Sequence, residues 1–147
     1  MSPASVELSA PAKILGTITE HTRVAADAGI LRFQTETKPP RFGPGQFFQL
    51  CPWQGSDPLL GRPFSILDQG DDWISVLYQV MGRGTAMLQD LRVGDTAQLL
   101  GPLGKPFAAP TRPGPILIVA GGVGIPPFLL EVRDLIAKGR EVVVLLG

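Results

Sequence analysis

The chain has 147 residues and a mass of 15.7 kDa, enough for one ordinary domain or for a small domain with part of another. Lysine and arginine total 13, as do aspartate and glutamate. A net charge of zero argues against a nucleic-acid binder that works by broad phosphate neutralisation, and against a polybasic membrane patch. With 44% hydrophobic and 18% charged residues, the composition excludes a disordered chain. One cysteine, Cys51, excludes an intrachain disulfide and any site built from several thiolates. Met1–Pro11 has neither a basic flank nor an apolar run and reads as a frayed tail. No apolar stretch is long enough to span a bilayer. These features predict a cytoplasmic protein.

Glycine (18) and proline (15) are together well above their usual share, which predicts many turns and short strands. Lys13–Glu20 sets Ile14, Gly16 and Ile18 against Leu15, Thr17 and Thr19, a first strand. Ile30–Thr37 alternates Leu31, Phe33 and Thr35 with Arg32, Gln34 and Glu36, a half-buried strand. Residues 39–45 hold three prolines and two glycines and must turn. Gln46–Cys51 is the next strand, residues 52–60 a loop, and Arg62–Leu67 a short strand. Trp73–Val80 follows, with Ile74, Val76, Tyr78 and Val80 sharing a face. Gly84–Leu91 has helical spacing, and Thr96–Leu100 is strand again. The expected fold over residues 12–108 is an all-β barrel of about six strands with one short helix.

At Ala108–Pro115 three prolines in eight residues predict a stiff linker, assigned to 109–115. Beyond it Ile116–Ala120 reads as a buried parallel strand. Phe128, Leu129, Val132, Leu135 and Ile136 share a helix face, Gly139 suits its C-terminal cap, and Glu141–Leu146 is a second buried strand. Residues 116–147 are thus one βαβ unit. One such unit cannot cover both faces of a parallel sheet, so the chain is a fragment, its second half comes from another chain, or this portion packs unusually; the reading taken is a truncated α/β domain whose strands leave apolar surface open.

Three segments carry chemistry. In Arg62-Pro63-Phe64-Ser65 a rigid proline fixes the start of the strand, and the arginine offers a permanently charged planar fork suited to phosphate. On these four residues alone, a surface arginine and a core phenylalanine are the simpler reading. In Gln79–Thr85, two glycines lead into a helix whose first amides form an anion site by construction; an ordinary threonine cap is the alternative. Gly121-Gly122-Val123-Gly124-Ile125-Pro126-Pro127, between strand and helix, is like a dinucleotide fingerprint with Pro127 where a third glycine would stand. His21, at a strand end, and Cys51 read as bland, and Lys38, Arg41, Arg112 and Arg140 as solvated charges.

In this order and spacing, and with Gly101-Pro102-Leu103-Gly104 between them, the segments resemble the ferredoxin–NADP reductase superfamily over residues 12–147. Within it they are most similar to the electron-transfer subunit of class 1B dihydroorotate dehydrogenase. The resemblance implies a Greek-key barrel that binds FAD through Arg62, Pro63, Phe64, Ser65, Leu77, Tyr78, Gln79, Gly84 and Thr85. It also implies the first part of an NAD(P)-binding Rossmann-like domain, with Gly121, Gly122 and Gly124 at the nucleotide. The family's 2Fe–2S cluster is not ligated by this chain. Phe64 stands where the electron-transfer subunits commonly carry an aliphatic residue, and Lys105-Pro106 replaces their usual Asn-Gly.

The implied activity is that of a subunit or fragment of an FAD-dependent, NAD(P)-linked oxidoreductase. It would pass electrons between a nicotinamide cofactor and a catalytic dehydrogenase subunit or another redox protein, in dihydroorotate oxidation and so in pyrimidine biosynthesis. The alternatives are a non-catalytic flavin-binding or docking module and a reductase-like enzyme of another pathway.

Overall fold

A computed structural model describes residues 9–52 and 60–147. Most of the N-terminal tail and of the 52–60 loop read from the sequence lies outside the described residues. The first unit is one antiparallel sheet of seven strands in the order β4-β3-β7-β1-β2-β6-β5. Its strands are β1 (Ala12–Ala25), β2 (Ala28–Thr35), β3 (Phe47–Cys51), β4 (Arg62–Ser65), β5 (Asp68–Gln69), β6 (Trp73–Gln79) and β7 (Thr96–Leu103). Helix α1 (Arg83–Gln89) sits between β6 and β7.

The sheet curls because its two edges are joined at one corner. Just past β4, Ile66 N donates to Gln46 O on the β3 side (3.2 Å), and the next amide, Leu67 N, donates to Ser75 O on β6 (3.0 Å). The alternation read from the sequence is what fills the interior: Ile14, Ile18, Leu31, Phe33, Ile74, Val76 and Tyr78 are all buried. Phe42 and Phe48 meet edge to face at 5.9 Å inside the same core. Gly16 is required there, because a Cβ would come within 2.8 Å of the Phe33 side chain.

Two expectations need correction. The first strand runs to Ala25 rather than Glu20, with register shifts at Ile18/Glu20 and Arg23/Ala25 that let a 14-residue strand bend with the sheet. The pair Asp68–Gln69 forms a seventh strand against Ser75 and Ile74, too short to leave a periodic signal.

Beyond the exposed linker, β8 (Ile116–Ala120) and β9 (Val142–Leu146) pair in parallel, with α2 (Pro126–Ala137) crossing between them. Gly139, at φ +72°, ends that helix in the left-handed conformation. On one face of the pair Leu117, Val119, Val143 and Leu145 are exposed; on the other Ile118 is buried, while Val144 and Leu146 are exposed. Contacts among the described residues that join this unit to the barrel include the following. Phe107 stacks on Phe128 at 5.1 Å, Arg133 pairs with Asp68, and Leu130 packs against the barrel core.

Candidate functional site

Where α1, β4 and β6 converge with the start of α2, a cleft of about 320 Å³ opens. It is lined by Arg62, Pro63, Phe64 and Ser65 of β4, Leu77 and Gln79 of β6, Met81 of the following turn, Thr85 of α1, and Val123 and Pro126 from the α/β unit. Strand alternation explains the contribution of β6: Leu77 and Gln79 face the cleft, and Met81 continues that i, i+2 series. Tyr78 therefore points the other way, into the core, where it is buried.

Arg62 and Gly84 form one unit. A Cβ on Gly84 would lie 2.7 Å from Arg62 Nε and 3.2 Å from Cζ and Nη2. The guanidinium thus lies against the first turn of α1, in a place only glycine leaves vacant. Arg62 Nη1 also donates to Leu60 O at 2.9 Å, which fixes its direction. The Thr85 hydroxyl organises the same turn. It accepts from Met81 N (2.8 Å) and Gly82 N (3.1 Å) and donates to Gly82 O (2.9 Å). Thr85 is therefore the third residue of the helix and closes the turn from inside, rather than standing at the cap position.

On β6 the Gln79 side-chain amide donates to the Asp27 carboxylate at 2.8 Å. Behind the strand, His21 joins two elements: one ring nitrogen meets Leu91 O at 2.9 Å, the other Tyr78 Oη at 2.8 Å. A carbonyl only accepts, so Nδ1 carries the proton and, on the neutral ring, Nε2 accepts from the tyrosine. His21 is thus half-buried and bonded on both sides, where the sequence suggested an exposed strand end. Burial first, then the Asp90 carboxylate, raise the Tyr78 pKa above the ordinary 10, with Arg23 opposing.

The glycine turn lies at the rim of the cleft. Gly122 adopts φ +51°, a left-handed conformation. Gly121 lies where a Cβ would meet Gly147 O at 2.9 Å. Gly124 has open space around its Cα. None of these three glycines lines the cleft; Val123, between them, does. Seven of the twelve expected residues therefore converge on the cleft, Gly84 supports one of them, and Tyr78 backs its strand. The sequence reading missed Met81, Val123 and Pro126. The alternation from Leu77 through Gln79 already pointed to Met81; the other two reach the cleft only through the packing of two units.

No family model matches the chain. It is 42% identical over 92 residues to the dihydroorotate dehydrogenase B electron transfer subunit of Clostridium acetobutylicum, covering 63% of this chain and 37% of the relative. To the corresponding subunit of Shouchella clausii it is 36% identical over 135 residues, 89% of this chain and 52% of the relative. The chain thus spans between about a third and a half of the curated relatives it matches. Among solved structures, the ferredoxin reductase of carbazole 1,9a-dioxygenase superposes with a TM-score of 0.81 at 22% identity, covering 99% of this chain and 44% of that one. An NADH-dependent reduced ferredoxin–NADP oxidoreductase gives 0.78 at 25% identity, over 90% of this chain and 48% of that one. The curled antiparallel barrel leading into a parallel βαβ unit is thus the fold of these ferredoxin reductases, and over its length the chain is similar in sequence to part of the electron transfer subunits of dihydroorotate dehydrogenase B.

Proposed function

We propose that the chain is the FAD-binding electron-transfer portion of an NAD(P)-linked oxidoreductase, and that the cleft between β4, β6 and α1 holds the flavin. The observation that carries this is the pairing of chemistries in one cleft. A permanent cation, Arg62, lies on a glycine at a helix start, and beside it stand apolar walls (Pro63, Phe64, Leu77) and hydrogen-bonding groups (Ser65, Gln79). A flat heterocycle with a polar edge and an anionic tail matches that set. Among the described residues the Ser65 hydroxyl has no hydrogen-bond partner, so it is available to a ligand.

When bound, the flavin supplies the redox chemistry, taking a hydride equivalent and giving up electrons one at a time. The chain's residues bind and orient. Arg62, with the first amides of α1 at Gly84 and Thr85, neutralises phosphate charge. Phe64 and Leu77 exclude water from the ring, and Ser65 and Gln79 read its polar atoms. The turn at Gly121, Gly122 and Gly124 is the corresponding start of a nicotinamide-nucleotide site. A 2Fe–2S cluster does not fit this chain: Cys51 is its single cysteine, and no group of three potential metal ligands occurs among the described residues.

By likeness to its relatives the chain serves dihydroorotate oxidation, with a catalytic dehydrogenase subunit as partner. Titration with FAD, followed by anaerobic addition of NADH, tests the reading. A stoichiometric yellow complex is expected, one that dithionite bleaches at once and NADH slowly, if at all, because the glycine turn is only the start of a nicotinamide site and positioning supplies much of such a barrier. No colour would refute the assignment.

A further inference from the structure

Behind the cleft lies the tip of the β1–β2 hairpin, Ala26-Asp27, which meets β6 and the region of α1 at three points. Asp27 O accepts from Val80 N at 2.7 Å, Ala26 O accepts from Gln89 Nε2 at 3.1 Å, and the Asp27 carboxylate accepts from Gln79 Nε2 at 2.8 Å. The first two bonds anchor the backbone of the tip, so the carboxylate is held against β6 by main chain on both sides of it. An ionised carboxylate only accepts, so it dictates which end of the Gln79 amide faces it. One hydrogen of the NH₂ group is taken. The carbonyl oxygen, Oε1, is turned away from Asp27 and has no hydrogen bond among the described residues, while Gln79 itself lines the cleft.

We infer that Asp27 is a positioning residue that fixes the polarity of Gln79, so that the cleft offers a carbonyl acceptor with one amide hydrogen left beside it. Such an amide selects a heterocycle whose edge carries an N–H donor next to a carbonyl. This rests on the flavin reading of the cleft, and the imide edge of a flavin ring is of that class. Charge alone predicts the opposite effect, because a carboxylate close to a dinucleotide repels its phosphates. Removing Asp27 would then tighten binding. The two accounts differ in sign.

The test is a double-mutant cycle on the full 147-residue chain, read as FAD affinity by quenching of flavin fluorescence. Circular dichroism and thermal unfolding of each ligand-free variant are recorded alongside. With Gln79 present, Asp27→Ala is expected to weaken FAD binding by about two- to ten-fold, the scale of one hydrogen bond. In the Gln79→Ala background the same substitution should change affinity by less than about 1.5-fold, because there is no amide left to orient. Equal losses in both backgrounds, tighter binding in Asp27→Ala, or an unfolded Asp27→Ala would overturn the assignment. If the wild-type chain binds FAD and Asp27→Ala binds it as tightly, the positioning role alone is refuted. If the wild-type chain binds no FAD, the flavin reading falls and the positioning role falls with it.

Discussion

At the scale of single residues the cleft depends on a contact that no substitution table would mark as sensitive. Arg62 occupies the space a side chain on Gly84 would need. Arg62→Ala removes the charge and is expected to weaken FAD binding by about ten- to a hundred-fold, the scale of a charge-assisted hydrogen bond; a fluorescence titration measures it. Gly84→Val leaves the charge but displaces the guanidinium. It should lower FAD occupancy as severely while the far-ultraviolet circular dichroism stays that of the barrel. Full occupancy in Gly84→Val would count against the pairing. These two residues were legible because each sits in a compact local segment. Tyr78 shows how a local pattern was under-used: the alternation that groups Ile74, Val76, Tyr78 and Val80 already places it on the face opposite Leu77 and Gln79. Its contribution to the site is through the strand that it anchors. The role of His21 could not be read from the sequence, since its two partners lie 57 and 70 residues away.

At the scale of elements, period-2 alternation fixed most strands because one face of each is buried and a one-residue slip would turn the whole set to solvent. It failed where the physics is not periodic: at the bulges that carry β1 on to Ala25, and at the two residues of β5. The β6 strand is braced from behind by the Tyr78–His21–Leu91 chain, which ties it to β1 and to the end of α1. The burial of Tyr78 has a pH signature of its own. Tyr78 in the fold ionises above the ordinary 10, so above that pH the unfolded chain releases the proton first. Stability is therefore complete below about pH 10 and declines as pH rises toward the folded value. Urea midpoints measured between pH 8 and 11 should show a decline that is smaller in Tyr78→Phe, because this substitution removes the titrating group.

At the scale of the whole molecule, the parallel βαβ unit was legible from its apolar runs, but the way the unit seats on the barrel was not. Phe107 and Phe128, and Asp68 and Arg133, find each other only in three dimensions. The expectation that β8 and β9 leave apolar surface open corresponds to Leu117 at 61% and Val119 at 68% exposure, beside Val143 and Leu145. A contiguous face of that kind favours association. Sedimentation of the 147-residue chain should show a mass that rises with protein concentration, and Val119→Lys should shift the distribution toward monomer. A monomer at all concentrations would show that this face does not drive assembly.

The cleft is walled by both units: Val123 and Pro126 approach from beyond the linker, and the remaining lining residues belong to the barrel side. A molecule seated there acts as a crosslink, and its binding energy is shared with the angle between the two bodies. The coupling is reciprocal. A change in that angle would alter retention of the ligand, and a filled cleft would resist the change by the same free energy.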